Sequence, residues 1–147
     1  MNTYRLSFKS PAEILKYIKD NQVQYIDFNF TDLRGKWQHT TQHASTFDKS
    51  MIESGIFFDG SSIAGWRAIN ESDMRLKPDI SRVTYDPFAA QKTIKVFCDV
   101  YEPTSGKPYN RDPRSTASRA EAYLQSTGIG DTAYFGPEAE FFVFDDV

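Results

Sequence analysis

Two stretches of alternating side chains, joined by a short turn, constrain the fold of this chain more than any other feature. Residues 23–30 place apolar side chains on one face of an extended strand and polar ones on the other. Residues 36–42 are polar and β-branched, and the turn-forming residues 32–35 separate the two stretches. The pattern predicts a β-hairpin with one apolar face.

The remaining pattern predicts short helices and further strands around this hairpin. Ser10, Pro11 and Glu13 form a helix-start signal, with Ser10 as the N-cap. The other predicted helices cover residues 46–53 and 113–124, and the other predicted strands cover residues 82–85, 93–101 and 132–147. The chain between the FFDGSS motif and about residue 79 is expected to be irregular. Strands packed by one or two helices indicate an α+β fold.

Composition excludes several classes of protein. The chain has 147 residues and 15% aromatic residues, which is too aromatic for a disordered chain. A net charge of −3 argues against nucleic-acid binding, and no apolar run is long enough for a membrane span. Cys98 is the only cysteine, so no internal disulfide forms, and a cytoplasmic location is predicted.

A Pro- and Gly-rich stretch at residues 102–113 is typical of a linker between domains. We therefore predict one domain over residues 1–106 and the start of a second over residues 107–147. The second segment holds one helix, with an apolar stripe of Ala117, Ala120 and Leu124, and one strand. Because these two elements cannot enclose a core, we expect this domain to be truncated.

Glu138 and Glu140 form the strongest candidate for a chemical site. On an extended strand both point the same way, with α-carbons about 6.7 Å apart at ~3.3 Å per residue. Residues 141–144 are apolar on both faces, which is typical of a strand covered on both sides. Two carboxylates in such surroundings favour a cation, and Mg²⁺ accepts carboxylate oxygens. On spacing alone, a solvated strand end is the commoner explanation. His39 and His43 are interpreted as solvated polar residues.

The motif FFDGSS, at residues 57–62, places Asp59 on a tight turn between aromatic residues. We expect Phe57, Phe58 and Trp66 to pack and hold this acid rigidly. From the motif alone, an ordinary Asp-Gly turn with a local hydrogen bond remains the alternative.

Two long segments carry a specific resemblance. FFDGSSIAGWRAINESDMRLKPD (57–79) and YNRDPRSTASRAEAYLQSTGIGDTAYFGPEAEFF (109–142) resemble the N-terminal part of bacterial type I glutamine synthetases. Ala64 and Ala139 stand where relatives often have Gly and Pro. The resemblance implies a β-grasp-like N-terminal domain, followed by the first helix and strand of a catalytic domain.

The resemblance also implies a reaction and its residues. Such enzymes use ATP and Mg²⁺ or Mn²⁺ to join ammonia to L-glutamate through a γ-glutamyl phosphate, as homo-oligomers that are typically dodecamers of two hexameric rings. By position, Glu138 and Glu140 correspond to metal ligands, and Asp59 corresponds to the acid that binds and deprotonates ammonium. Ser62 lies on the same loop, which reaches into a neighbouring subunit's active site. The segment NESDM, at residues 70–74, is expected to support that loop.

Two alternatives stay open beside the ligase. One is a β-grasp oligomerisation or binding module without activity, and the other is a related γ-glutamyl-amine ligase. The intact loop around Asp59 favours ammonia over a larger amine. The 147-residue chain by itself is predicted to be inactive, since it holds too few ligands for a complete active site.

Overall fold

The computed structural model describes residues 4–68 and 71–146 and centres on a six-stranded β-sheet. In chain order the elements are β1 (Arg5–Leu6), α1 (Pro11–Asp20), β2 (Tyr25–Thr31), β3 (Trp37–His43), α2 (Lys49–Ser54), β4 (Ile56–Asp59), β5 (Asp73–Asp86), β6 (Thr93–Tyr101) and α3 (Pro113–Thr127). Short 3₁₀ turns cover Ala44–Thr46 and Gly60–Ser62.

The sheet is mixed, with strand order β1-β5-β6-β2-β3. Strands β2 and β6 are parallel, and the other pairs are antiparallel. Strand β5 is long enough to pair with both β4 and β1, and its register against β6 shifts between Pro78 and Val83. Apolar side chains of the strands form one core cluster with Ile14 and Ile18 of α1 and Ile52 of α2. The α+β prediction is confirmed.

The predicted hairpin is confirmed as β2 and β3. Its turn is organised by Asp32, whose carboxylate oxygen Oδ1 accepts hydrogen bonds from the backbone N–H groups of Arg34 and Lys36, both at 2.9 Å. Gln38 donates to the other oxygen at 3.0 Å. The hydrogen bond from Gln38 contributes most, and together these contacts lower the pKa of Asp32 below its ordinary value.

The polar face of the hairpin contains a buried acid. Asp27 is buried, and its Oδ1 atom lies 2.7 Å from His39 Nδ1 and accepts a hydrogen bond from Thr41 Oγ1 at 2.7 Å. Asn29 donates to the second carboxylate oxygen at 3.1 Å. The interpretation of His39 as a solvated polar residue is confirmed, since its side chain is exposed, but its ring also satisfies the buried carboxylate of Asp27.

The helix ends follow the local sequence. Ser10 caps α1 as predicted, accepting a hydrogen bond from the Glu13 N–H at 3.3 Å. Helix α2 begins at Lys49 rather than residue 46, because Asp48 is its N-cap. It ends at Gly55 with φ +83°, where an added Cβ would lie 2.4 Å from a β5 carbonyl oxygen. In the described part of the chain, no helix is long and apolar enough to cross a bilayer.

The expectation of an irregular chain from the FFDGSS motif to residue 79 holds for the described residues 63–68 and 71–72 but is wrong from Asp73 onward. Strand β4 contains both phenylalanines of the FFDGSS motif and its acid, and β5 already begins at Asp73. The two strands pair in antiparallel register from Ile56 opposite Leu76 to Asp59 opposite Asp73. This pairing satisfies backbone groups that the sequence pattern, interrupted by Gly and Ser, left without an obvious partner.

The structure divides into two compact units, one through Ala117 and one from Ser118. The second holds most of α3 and residues after it. Ala117 and Ala120 are exposed and Leu124 is half-buried, so the predicted buried stripe is wrong. The predicted strand at 132–147 is also absent from its described residues, 132–146, which are exposed and pair with no described strand. A strand needs such a partner for its backbone hydrogen bonds.

Candidate functional site

The end of β4 presents Asp59 at the surface. Its Oδ1 atom accepts hydrogen bonds from the Ser61 hydroxyl at 2.6 Å and the Ser61 backbone N–H at 2.8 Å. Asp59 thereby caps the 3₁₀ turn Gly60–Ser62. The hydrogen bond from the Ser61 hydroxyl, followed by that from the Ser61 backbone N–H, lowers the pKa of Asp59 below its ordinary value. This carboxylate is therefore ionised at neutral pH.

Gly60 allows the turn to lie directly against β5. Its N–H donates to the Ser72 carbonyl oxygen at 2.7 Å. A Cβ at this position would lie 2.4 Å from Met74 Cγ and 3.0 Å from that carbonyl oxygen. A larger residue would therefore push the turn, and Asp59 with it, away from the sheet.

A second acid lies beside Asp59. Asp73 is the residue directly opposite it in the β4–β5 register, and both side chains are exposed. Directly opposed residues of an antiparallel pair project from the same face with Cβ atoms about 4.5–5.5 Å apart. The register thus places the two carboxylates, here called the acidic pair, on one face of the β4–β5 pair, although Asp59 and Asp73 line different cavities. The sequence motif NESDM contains Asp73 but indicates no chemical role for it, because the β4–β5 register depends on long-range pairing. Asn70 of that motif lies outside the described residues.

Aromatic rings support the loop from the core side. The Trp66 ring is buried and packs against Phe30, Phe58 and Tyr109, with ring centroids 5.6, 6.2 and 5.4 Å away, respectively. Phe57 is 67% exposed, so the expectation that both phenylalanines pack is only half right. Alternation along β4 explains the difference, because adjacent residues of a strand face opposite sides.

Residues from the Pro- and Gly-rich stretch fasten the end of the loop. The buried Tyr109 donates its hydroxyl hydrogen bond to the Trp66 carbonyl oxygen at 2.8 Å. Arg111 Nη1 donates to the Gly65 carbonyl oxygen at 2.6 Å. Sequence analysis missed both residues. A lone Tyr in an otherwise polar stretch was the available signal.

The start of α3 is fixed to the same sheet. The buried Asp112 carboxylate accepts hydrogen bonds from the Ser115 N–H and hydroxyl and from the Val100 N–H of β6. Arg114 bridges Asp79 and Asp99, with N–O distances of 2.6 and 2.7 Å. The stretch interpreted as a linker is therefore tied down at its C-terminal side.

Asp59 and Ser62 line one cavity, which has a volume of about 260 Å³. Gln38 and Thr40 of the edge strand β3 line it as well. The structure thus brings the two predicted loop residues together beside polar side chains of the hairpin. This cavity and the acidic pair constitute the candidate site.

The two predicted metal ligands lie in the second unit. Glu138 and Glu140 are both exposed, so the partly desolvated surroundings expected of them are not observed. Within residues 4–68 and 71–146, no group of three His, Cys, Asp or Glu side chains is arranged to hold a metal ion. The carboxylate donors themselves are of the class that Mg²⁺ and Mn²⁺ accept.

Cys98 takes no part in this site. It is fully buried in the core, and burial raises the pKa of its thiol far above the ordinary value. A neutral, buried thiol is neither a nucleophile nor a metal ligand.

Two family models match the chain. The model described as "Glutamine synthetase, beta-Grasp domain" matches residues 22–103, and that described as "Glutamine synthetase, catalytic domain" matches residues 110–147. The first alone covers more than half of the chain. The mixed sheet is thus a β-grasp domain, and the chain belongs to the glutamine synthetase family.

Individual relatives agree with this assignment. The chain is 60% identical, over 139 residues, to a glutamine synthetase of Azorhizobium caulinodans, covering 95% of this chain and 30% of that protein. It is 56% identical over 139 residues to a 3-hydroxylaminophenol mutase of Cupriavidus pinatubonensis, with the same two shares. The cryo-EM structure of Plasmodium falciparum glutamine synthetase superimposes with a TM-score of 0.79 at 26% identity, covering 87% of this chain and 25% of that one. The chain therefore spans less than a third of these relatives.

Proposed function

We propose that the chain contributes its loop acid to an ATP-dependent ligase that joins ammonium to L-glutamate and forms glutamine. Family membership supports the ligase class. The observation that carries the proposal is the exposed, ionised Asp59 directly opposite Asp73 at the end of β4. Two acids on one face attract a small cation, and ammonium is the cationic substrate of the proposed ligase reaction.

In this proposal Asp59 first binds ammonium and then accepts a proton from it. The hydrogen bonds from Ser61 occupy Oδ1, and the Ser72 side chain also donates to the carboxylate, which remains exposed to an incoming cation. The lowered pKa of Asp59 keeps the carboxylate charged for binding, although it also makes Asp59 a weak base. Asp73 increases the local negative potential and so strengthens cation binding. Ser62, on the wall of the same cavity, serves as a neutral hydrogen-bonding group.

Glu138 and Glu140 are proposed as ligands of two divalent cations, Mg²⁺ or Mn²⁺. When bound, such cations neutralise the charge of the phosphates of ATP and of a γ-glutamyl phosphate. The two carboxylates supply only part of the ligand set, which other parts of a longer protein would complete. For the same reason we propose that the 147-residue chain alone is inactive.

The loop is also proposed to act across a subunit boundary in a homo-oligomer with two hexameric rings, in the cytoplasm. Its exposed acids support this view, since they require further walls to enclose a substrate. A β-grasp module that only assembles or binds remains the alternative for the chain by itself.

One comparison introduces a second reaction class. Because a relative that is 56% identical is named a 3-hydroxylaminophenol mutase, identity in this region does not define the reaction. A γ-glutamyl-amine ligase is the third candidate. The intact loop around Asp59 favours ammonium over a larger amine, whereas the cavity beside it, at about 260 Å³, is large enough for either.

The test assays the protein from the complete reading frame with three substrate sets. These are glutamate, ATP and Mg²⁺ with ammonium, the same mixture with ethylamine, and 3-hydroxylaminophenol without ATP. The proposal predicts ADP release and glutamine formation with ammonium, and much slower turnover with ethylamine. Preferred use of ethylamine, or conversion of 3-hydroxylaminophenol without ligation, would contradict it.

A further inference from the structure

A second groove lies on the polar face of the sheet and shares no residue with the cavity beside Asp59. Its volume is about 450 Å³, within the range of small-molecule sites. Arg5 of β1 lies opposite Thr84 of β5 in the register, and both line the groove. Phe97 of β6 and the arginines Arg82 and Arg114 complete most of the lining.

The groove is unusually basic for this protein. Three arginines and no acidic residue line it, although the whole chain has a net charge of −3. Arg114 is neutralised by its ion pairs with Asp79 and Asp99. Arg5 and Arg82 are exposed, and neither forms an ion pair with another residue of the described ranges 4–68 and 71–146. Two guanidinium groups are therefore available to an anion.

Aromatic rings accompany these charges. Phe97 is half-buried and contacts the Trp37 ring edge-on, with centroids 5.1 Å apart. Tyr4 lines the groove from the β1 side and is half-exposed. Guanidinium groups pair with carboxylate or phosphate through two parallel hydrogen bonds, while rings pack against a planar apolar body.

We propose that this groove binds a small molecule carrying a phosphate or carboxylate group on a planar ring. Arg5 and Arg82 would bind the anionic group, and Phe97 would contact the ring. Nothing in the ligase chemistry uses these residues, so the groove is a separate ligand site. A result showing that this groove binds no such ligand would leave the proposed ligase function unaffected.

The experiment titrates the ¹⁵N-labelled 147-residue chain with phenyl phosphate, benzoate and inorganic phosphate, followed by NMR. We expect saturable shifts of the Arg5, Val83, Thr84 and Phe97 amides with phenyl phosphate or benzoate, and no shifts at Asp59. Whichever of the two probes binds more tightly identifies the anionic group. Inorganic phosphate should bind at least about tenfold more weakly than phenyl phosphate, because it lacks the ring.

Variants separate a built site from general charge attraction. Arg82→Gln should weaken binding about tenfold or more, since hydrogen bonds to charged groups are the strong ones. Arg5→Gln gives an independent second variant, and Arg34→Gln is the matched control, because Arg34 is an exposed arginine in the hairpin turn. Phe97→Leu should weaken phenyl phosphate but leave inorganic phosphate unchanged. Equal weakening by Arg34→Gln, or no saturable shift with either ring-bearing probe, would overturn the proposal.

Discussion

Replacing Tyr109 by Phe tests whether the stretch before α3 holds the acid-bearing loop. The substitution removes only the hydroxyl that donates to the Trp66 carbonyl oxygen at 2.8 Å. The ring keeps its contacts with Trp66 and with the Arg67 guanidinium, which lies 5.2 Å from the ring centroid. The measured effect therefore reports the hydrogen bond rather than a cavity.

The expected loss is about 1–2 kcal/mol. A typical intramolecular hydrogen bond contributes about 0.5–1.5 kcal/mol, and leaving a buried carbonyl unpaired costs about 1–3 kcal/mol. The lower part of this range applies because Arg111 Nη1 lies 3.5 Å from the same oxygen and can replace the lost donor. In a unit of this size, the loss lowers the melting temperature by about 3–6 °C per kcal/mol.

Urea unfolding, followed by far-UV circular dichroism and Trp fluorescence, measures the change in the free energy of unfolding. Tyr123→Phe is the matched control, because Tyr123 is 72% exposed. Adding Arg111→Gln should make Tyr109→Phe more damaging, since the replacement donor is then gone. A change within about 0.5 kcal/mol, as for ordinary surface substitutions, would refute the reasoning.

Three further predictions concern single contacts. Gly55→Ala should destabilise the chain by at least about 3 kcal/mol in urea unfolding, because Gly55 has a positive φ and an added Cβ would lie 2.4 Å from a β5 carbonyl oxygen. Gly106→Ala is the control: Gly106 also has a positive φ but faces open space, so the loss should be only about 1–2 kcal/mol. Ser61→Ala should raise the pKa of Asp59 towards 3.8 in an NMR titration, and an unchanged pKa would remove the stated cause. Partial burial raises the pKa of Asp79, but hydrogen bonds from Ser81 and Arg114 outweigh burial and lower the pKa below 3.8. The Asp79 carboxylate therefore stabilises the folded chain above pH 3.8, and this stabilisation is lost as the pH falls below that value. Asp79→Asn should therefore be less stable than wild type at pH 6, with the gap closing by about pH 2; a constant gap would contradict this.

The sequence predicted the hairpin and α1 well because local signals determine both. Alternation fixes the faces of β2 and β3, and Ser10 fixes the start of α1. Strand β4 was missed because Phe57 and Phe58, followed by Gly and Ser, resemble a loop until β5 is known to lie beside them. The role proposed for Asp73 depends on that same long-range register.

The predicted site was found in part for similar reasons. Asp59 and Ser62 share a cavity because only two residues of a tight turn separate them. The exposure of Glu138 and Glu140 could not be deduced, since it depends on what packs against residues 132–146 rather than on their own pattern. Tyr109 was hidden by the polar composition around it, although a single aromatic side chain is enough to anchor a segment.

The central claim is that Asp59 binds and deprotonates the ammonium substrate. The direct measurement compares the complete protein with its Asp59→Asn variant in two partial reactions. One is glutamine formation in the presence of ammonium, and the other is phosphoryl transfer from ATP to glutamate in the absence of ammonium. Asp48→Asn is the control, because Asn also caps a helix well. We predict a loss of about 10²–10⁴-fold in glutamine formation, with phosphoryl transfer nearly unchanged. Equal losses in both reactions, or none in either, would contradict the account.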